Sequence, residues 1–215
     1  MTTVLLDVDG TLVDSNYQHV IAWQRAFREH GFVPGTWRIH RHIGMGGDHL
    51  VPTLLGEDAD RRVGDDLREA WGKHVEPLLD DVTPIDGARE LLVALRDHGA
   101  TVVLASSGKA DHLERWIELL DAQDLAQAVT TSEDAERTKP DPDVFAIAMQ
   151  KVGATGAVAL GDSTWDCEAA WRLGIPCYAL TTGGFSASEL RHSGAAGVSG
   201  DLHEARQTLL KVLES

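Results

Sequence analysis

The chain has 215 residues, 43% of them hydrophobic, enough to bury a substantial core and to hold one α/β domain with a large insertion. Its formal net charge of −15 excludes a general nucleic-acid binder or a protein of anionic membrane surfaces, because long-range repulsion opposes both. No apolar stretch approaches the roughly 20 residues that span a bilayer.

The first residues enter a strand with neither a basic leader nor an apolar signal core, so a cytoplasmic protein is expected. The two cysteines, Cys167 and Cys177, suit reduced core thiols better than a disulfide framework.

The first element is a predicted strand over residues 3–8, whose apolar run Val4-Leu5-Leu6 reads as buried and parallel. It delivers Asp7 and Asp9 into the turn Gly10-Thr11-Leu12. In an open α/β sheet the ligand crevice lies beyond the carboxyl ends of the strands. Two carboxylates placed there repel one another and resist desolvation, so they require a cation or a shared proton. A hard divalent metal is the natural partner.

Residues 14–82 show helical patterns over 17–30, 48–55 and 60–79 and no convincing strand. Asp14 and Ser15 read as a hinge and the start of the first of these helices. Within this stretch Trp37-Arg38-Ile39-His40-Arg41-His42 is locally basic and runs into the loop Gly44-Met45-Gly46-Gly47.

From residue 83 the pattern changes to alternating strands and helices, with strands expected near 101–105, 128–130, 157–160, 176–180 and 196–198. Such alternation means βαβ units and a parallel, doubly wound sheet. The strand at 101–105 ends in Ser106-Ser107-Gly108, where a hydroxyl and the amides after it suit phosphate oxygens. Lys139-Pro140-Asp141-Pro142 precedes a helical pattern over 141–152, with Asp141 expected at the N-cap and Pro142 at the first helical position. The strand at 157–160 leads into Gly161-Asp162-Ser163-Thr164-Trp165-Asp166, a second acidic turn.

Taken in order, Asp7-Val8-Asp9-Gly10-Thr11, Ser106, Lys139-Pro140 and Gly161-Asp162-Ser163-x-x-Asp166 resemble the haloacid dehalogenase superfamily of phosphotransferases, and the likeness spans nearly the whole chain. It is greatest to the branch containing phosphoglycolate phosphatases, small sugar phosphatases and β-phosphoglucomutase. The resemblance implies a Rossmann-like core of residues 1–13 and 83–215 and a mobile helical cap of residues 14–82. It also places His19, on the first cap helix, facing the crevice, and brings the loop with Gly46 and Gly47 down over it. Arg41 and His42, at the basic helix end beside that loop, become candidates to hold an anionic or polar substrate group.

The expected chemistry follows from charge. Asp7 is the nucleophile, forming an aspartyl-phosphate that water later hydrolyses. Asp9 gives a proton to the leaving oxygen and then takes one from water. One Mg²⁺ would bind the Asp7 carboxylate, the Asp9 backbone carbonyl and the Asp162 carboxylate. Lys139 balances Asp7 and the phosphoryl group, while Ser106, Ser107, Gly10 and nearby amides bind phosphate oxygens. Asp166 either orients metal-bound water or is an exposed acid in the first turn of a helix.

Asp9 argues for phosphate rather than halide chemistry, since haloacid dehalogenases lack this second acid. Gly46-Gly47-Asp48 stands where β-phosphoglucomutase carries a cap-loop arginine, which favours a phosphohydrolase of small metabolites, a sugar phosphate or phosphoglycolate-like molecule, over a phosphosugar mutase. A non-catalytic metabolite binder is the remaining alternative, though pure binding needs no nucleophile paired with an acid.

Overall fold

All four residues of β1 (Thr3–Leu6) are buried, and its side chains divide by the alternation of a strand: Val4 and Leu6 join one apolar cluster and Leu5 another. A strand covered on both faces belongs in the middle of a layered α/β fold. The computed structural model, which describes residues 2–214, places it there.

After β1 the chain forms β2 (Val13–Asp14), α1 (Asn16–Glu29), α2 (Thr36–His40), α3 (Gly47–Leu55) and α4 (Glu57–Val75). A 3-10 turn at Glu76–Asp81 returns it to β3 (Thr83–Pro84), and α5 (Ala88–Asp97), β4 (Thr101–Ala105), α6 (Ala110–Leu119) and β5 (Ala128–Thr130) follow. Next come α7 (Asp143–Lys151), β6 (Ala157–Gly161), α8 (Thr164–Leu173) and β7 (Cys177–Leu180). The described chain ends through α9 (Ala187–His192), β8 (Ala195–Ser199) and α10 (Leu202–Leu213).

Six strands make one parallel sheet in the order β5-β4-β1-β6-β7-β8. From β4 the chain winds outward to β5 on one side of β1, and from β6 to β7 and β8 on the other. That reversal is a topological switch point, and it lies beside the carboxyl end of β1. One face of the sheet is covered by α5, α6 and α10 through Leu91, Leu95, Leu113, Trp116 and Leu209. The opposite face is covered by α7 and α8 through Val144, Phe145, Ala148, Ala169 and Ala170. The chain is therefore a doubly wound α/β fold. Cys167 and Cys177 are free and buried against this second face.

Between β2 and β3 lie the helices α1–α4, gathered around a separate apolar cluster that includes Phe27, Ile39, Leu50 and Leu67, each fully buried. Burying side chains of this size contributes about 1.5–3 kcal/mol apiece. The two chain segments that enter and leave this insertion pair antiparallel, Val13 with Pro84 and Asp14 with Thr83.

Two local expectations are corrected. β1 ends at Leu6: the Asp7 amide makes a last bond to the sheet, to the Leu160 carbonyl at 2.9 Å, and the Val8 carbonyl is already taken by the turn, accepting from the amides of Thr11, Leu12 and Val13. Asp141 is not an N-cap: α7 begins at Asp143 behind Pro142, and the Asp141 carboxylate is drawn instead to Arg137 at 2.8 Å and Arg172 at 2.9 Å. Two strong cations outcompete the helix amides for that anion.

Candidate active site

The carboxyl ends of β1, β4 and β6 bring Asp7, Ser106 and Asp162 together. Lys139 enters from the loop before α7 and is fully buried. Its Nζ lies 2.5 Å from Asp7 Oδ1 and 2.7 Å from Asp166 Oδ1 and donates to the Ala105 carbonyl at 2.9 Å. A buried ammonium is tolerated only with partners of this kind. Burial works to lower the lysine, but the charges of Asp166 and Asp7, with their hydrogen bonds, hold it above its usual range.

The carboxylates outnumber that lysine. Oxygens of Asp7, Asp162 and Asp166 lie within 4.8 Å of one another, all three residues buried. Burial, joined by the charges of Asp166 and Asp9, pushes Asp7 up to about 7 against the pull of Lys139. Burial and the charges of Asp7 and Asp166 push Asp162 well above the ordinary carboxylate range. The Thr11 hydroxyl lies 3.2 Å from both Asp7 Oδ2 and Asp162 Oδ1. It has one proton, so one of the two oxygens goes without. Asn16 Nδ2 donates to Asp162 Oδ2 at 2.9 Å. This excess of hard oxygen donors, short of positive charge, fits a divalent cation on Asp7 and Asp162. Asp166 is less free for it, since Oδ2 closes a capping box with Ser163 at the start of α8 while Oδ1 faces Lys139. Of the two readings of Asp166, the exposed acid is corrected: the residue is fully buried, because α8 starts against the lysine.

Asp9 has a different environment. Its Oδ1 accepts from the Ser15 hydroxyl at 2.6 Å and lies 3.2 Å from His19 Nε2, while Oδ2 accepts from Ser106 Oγ at 3.3 Å. Burial raises this carboxyl, but the hydrogen bond and charge of His19, the Ser15 hydroxyl and the charge of His112 outweigh it and hold it below the ordinary range. Ser15 thus caps α1 without bonding its amides, its hydroxyl being committed to Asp9.

Above these groups is a cavity of about 300 Å³, floored by Asp7, Asp9 and Ser106 and roofed by the insertion. Trp23 and Trp71 stack there with ring centroids 5.4 Å apart, and His19 stacks on Trp71 at 5.6 Å. Lys109 Nζ sits 5.4 Å from the Trp71 ring centroid.

Residues 4–180 match the haloacid dehalogenase-like hydrolase family. The chain belongs to this family. Among its relatives, a validoxylamine A 7'-phosphate phosphatase of Streptomyces hygroscopicus subsp. limoneus is 30% identical over 83% of this chain and 84% of its own length. A phosphoglycolate phosphatase of Pseudomonas putida is 29% identical over 84% of this chain and 69% of its own. A solved structure of a hydrolase from Pseudomonas syringae superposes with a TM-score of 0.92 at 32% identity, covering 99% of each chain. A β-phosphoglucomutase from Clostridium difficile shares the fold, with a TM-score of 0.85 at 15% identity over 99% of this chain and 97% of its own. Within the haloacid dehalogenase-like hydrolases, this chain is a phosphoric monoester hydrolase.

Of the residues singled out in the sequence of this hydrolase, Asp7, Asp9, His19, Gly46, Gly47, Ser106 and Ser107 line the cavity, and Lys139, Asp162 and Asp166 lie buried behind it. Gly10 does not offer its amide to phosphate: that N–H donates to the Val13 carbonyl at 2.8 Å within the turn. The structure does not bring Arg41 and His42 to the cavity. Arg41 pairs with Glu189 at 2.5 Å and lies over the Phe185 ring, and His42 bonds the Arg38 carbonyl and stacks near Trp165. Both lie where the end of α2 meets the core. Sequence reasoning missed Asn16, Trp71, Lys109 and Thr138. Lys109, three residues after Ser106, and Thr138, next to Lys139, were open to discovery by proximity to the motifs; Trp71 carried no local signal.

Proposed function

We propose that this chain is a Mg²⁺-dependent phosphohydrolase of a small phosphorylated metabolite, a sugar phosphate or phosphoglycolate-like molecule, working through an aspartyl-phosphate on Asp7. One observation carries the reading: Asp7 stands at the floor of the cavity, ion-paired through Lys139 and beside a second buried acid, Asp162. A carboxylate aimed at an enclosed space and backed by a lysine is equipped to attack phosphorus.

In the first half-reaction an Asp7 oxygen bonds to phosphorus while the bond to the leaving oxygen breaks, and Asp9 gives that oxygen a proton. In the second, Asp9 takes a proton from water as the water oxygen attacks phosphorus, freeing Asp7 and inorganic phosphate. His19 and Ser15 hold Asp9 ionised at rest, the state it needs for the second half; the proton for the first must be loaded onto it, and His19 Nε2 is 3.2 Å away. Ser106 and the amides of its loop receive the phosphoryl oxygens. When bound by Asp7, Asp162 and the Asp9 carbonyl, a divalent cation neutralises the repulsion between nucleophile and phosphate. Residues 14–82 act as a cap whose roof over the cavity excludes large leaving groups.

The relatives named for validoxylamine phosphate and phosphoglycolate support a small leaving group. The mutase reading loses support because Asp48 offers a carboxylate where a second phosphate needs a cation, and the cap arginine that lines the cavity, Arg68, is held by Asp60, Asp65 and the Gly47 carbonyl; Lys109 is the cavity lysine that bears on it. Purified protein is assayed with Mg²⁺ or EDTA against phosphorylated metabolites, including β-glucose 1-phosphate with a trace of glucose 1,6-bisphosphate. Mg²⁺-dependent release of inorganic phosphate is expected. Sustained accumulation of glucose 6-phosphate, lost in Lys109→Ala, overturns the hydrolase in favour of a mutase.

A further inference from the structure

The insertion reaches the loop that carries Lys139 on both sides of the lysine: His49 Nε2 lies 3.0 Å from Asp141 Oδ2, and Asp48 grips the residue just before the lysine. Asp48, in the first turn of α3, accepts with both oxygens from a single residue of the core: the Thr138 amide donates to Oδ2 at 3.0 Å and the Thr138 hydroxyl to Oδ1 at 2.5 Å. The same hydroxyl accepts from the Gly46 amide at 2.9 Å. On the insertion side the arm is anchored by Arg68 of α4, whose Nη1 donates to the Gly47 carbonyl at 3.0 Å and to Asp60 at 2.8 Å.

We propose that Asp48 is a positioning residue for phosphoryl transfer: from the cap it clamps Thr138 and so fixes Lys139 against Asp7 and Asp166. The proposal rests on the reading of Lys139 as part of the catalytic set. Residues 131–142 contain no helix or strand, so beside single turn bonds such as Asp141 N–H to the Thr138 carbonyl at 3.0 Å, side-chain bonds hold their path. Thr138 is buried, and without Asp48 its amide and hydroxyl lose a charged acceptor. Thr138 and Lys139 are consecutive, their Cα atoms about 3.8 Å apart across the peptide bond, so movement of one backbone moves the other. On the far side of Lys139 the loop is tied mainly within the core, by Asp141 to Arg137 and Arg172, with His49 Nε2 of the insertion 3.0 Å from Asp141 Oδ2. The cap thus supplies the tether on the near side of the lysine, among the described residues the only one of its contacts to the loop made by two hydrogen bonds to one residue. A carboxylate is required because it presents an acceptor to each donor, whereas an amide in its place would turn a donor toward one of them.

The test joins hydrogen exchange on the whole chain with steady-state kinetics on p-nitrophenyl phosphate in Mg²⁺, circular dichroism verifying each fold. Asp48→Asn and Asp48→Ala are expected to speed exchange across residues 131–142 and leave β1 and α8 unchanged. They should lower kcat by about tenfold to a hundredfold, as for a misplaced catalytic group, while KM moves little. Thr138→Val, which removes only the hydroxyl arm, should lower kcat too, and the Asp48→Ala/Thr138→Val double variant should be no worse than the poorer single. Thr138→Ser, which keeps both donors, should restore rate and protection. Unchanged exchange in Asp48→Ala, or losses that multiply in the double variant, overturns the proposal. A wild type that turns over no phosphate ester counts against the phosphatase reading instead, and the exchange measurements still decide the clamp.

Discussion

Stripped of divalent cations, the protein should lose stability as the pH rises toward neutrality, and Asp7 sets the size of the effect. Its carboxyl is raised from 3.8 to about 7 by burial first and by the charges of Asp166 and Asp9. An acid whose folded value is raised binds more protons folded than unfolded in the interval between the two. Its stabilisation is therefore complete below pH 4 and lost as the pH climbs through 7. A rise of that extent corresponds to roughly 4 kcal/mol, at about 1.4 kcal/mol per tenfold in the proton equilibrium. Asp162 is raised as well, so the titration belongs to the pair, and the sign is the same for both. The assay is urea unfolding in EDTA between pH 5 and pH 8, on wild type and Asp7→Asn, the difference between the two cancelling carboxylates elsewhere. Wild type should lose about 2–4 kcal/mol relative to Asp7→Asn across that window. Saturating Mg²⁺ should restore about 3 kcal/mol at the alkaline end when present near a hundredfold over its dissociation constant. A difference that stays flat with pH in EDTA refutes the electrostatic account of the site.

Asp7→Asn keeps the shape and removes the attacking charge, so turnover should fall by several orders of magnitude with folding intact, and a beryllium fluoride adduct seen on wild type should be lost; near-normal turnover in clean protein contradicts the nucleophile. Asp9→Ala should hurt alkyl phosphates more than p-nitrophenyl phosphate, whose leaving group needs little protonation, and equal losses on the two would assign Asp9 a structural role. Gly10→Ala should weaken Mg²⁺ affinity as measured by calorimetry, because Gly10 has φ +78° and a Cβ there would lie 2.1 Å from Asp162 Oδ2; the backbone alone adds about 1–2 kcal/mol of destabilisation, and unaltered Mg²⁺ affinity would separate Asp162 from the metal.

The strands of the core were legible because Val4-Leu5-Leu6, Val102-Val103-Leu104 and Ala157-Val158-Ala159-Leu160 are apolar runs that only a two-faced sheet can bury, and each ends in the polar residue that serves the site. Parallel pairing then forces those ends together, so Asp7, Ser106 and Asp162 could be named from one dimension. Arg41 and His42 could not be placed that way. A basic hexapeptide says nothing of which way its helix end points, and here it points to Glu189 and Trp165 at the edge of the core. Asp141 stands after a loop and before a proline as an N-cap should, yet Arg172 reaches it from α8, 31 residues on. Trp71 enters the cavity only because α4 packs along α1, a long-range event with no mark of its own in the sequence.

The carboxylate of Asp162 lies between two residues without side chains: a Cβ on Gly10 and a Cβ on Gly183 would each stand 2.1 Å from its Oδ2. Thr182, next to Gly183, also donates to the Gly10 carbonyl at 2.6 Å, tying the two walls to each other. This part of the molecule is a mould with no slack, where even a methyl group displaces the acid. An engineer seeking a new substrate therefore gains nothing by altering the floor. The adjustable surface is the roof at Met45; Trp23 and Trp71 line the cavity too, but Trp23 is buried in the insertion's core and Trp71 backs the His19 ring that bonds Asp9, so changing them reaches the acid beneath.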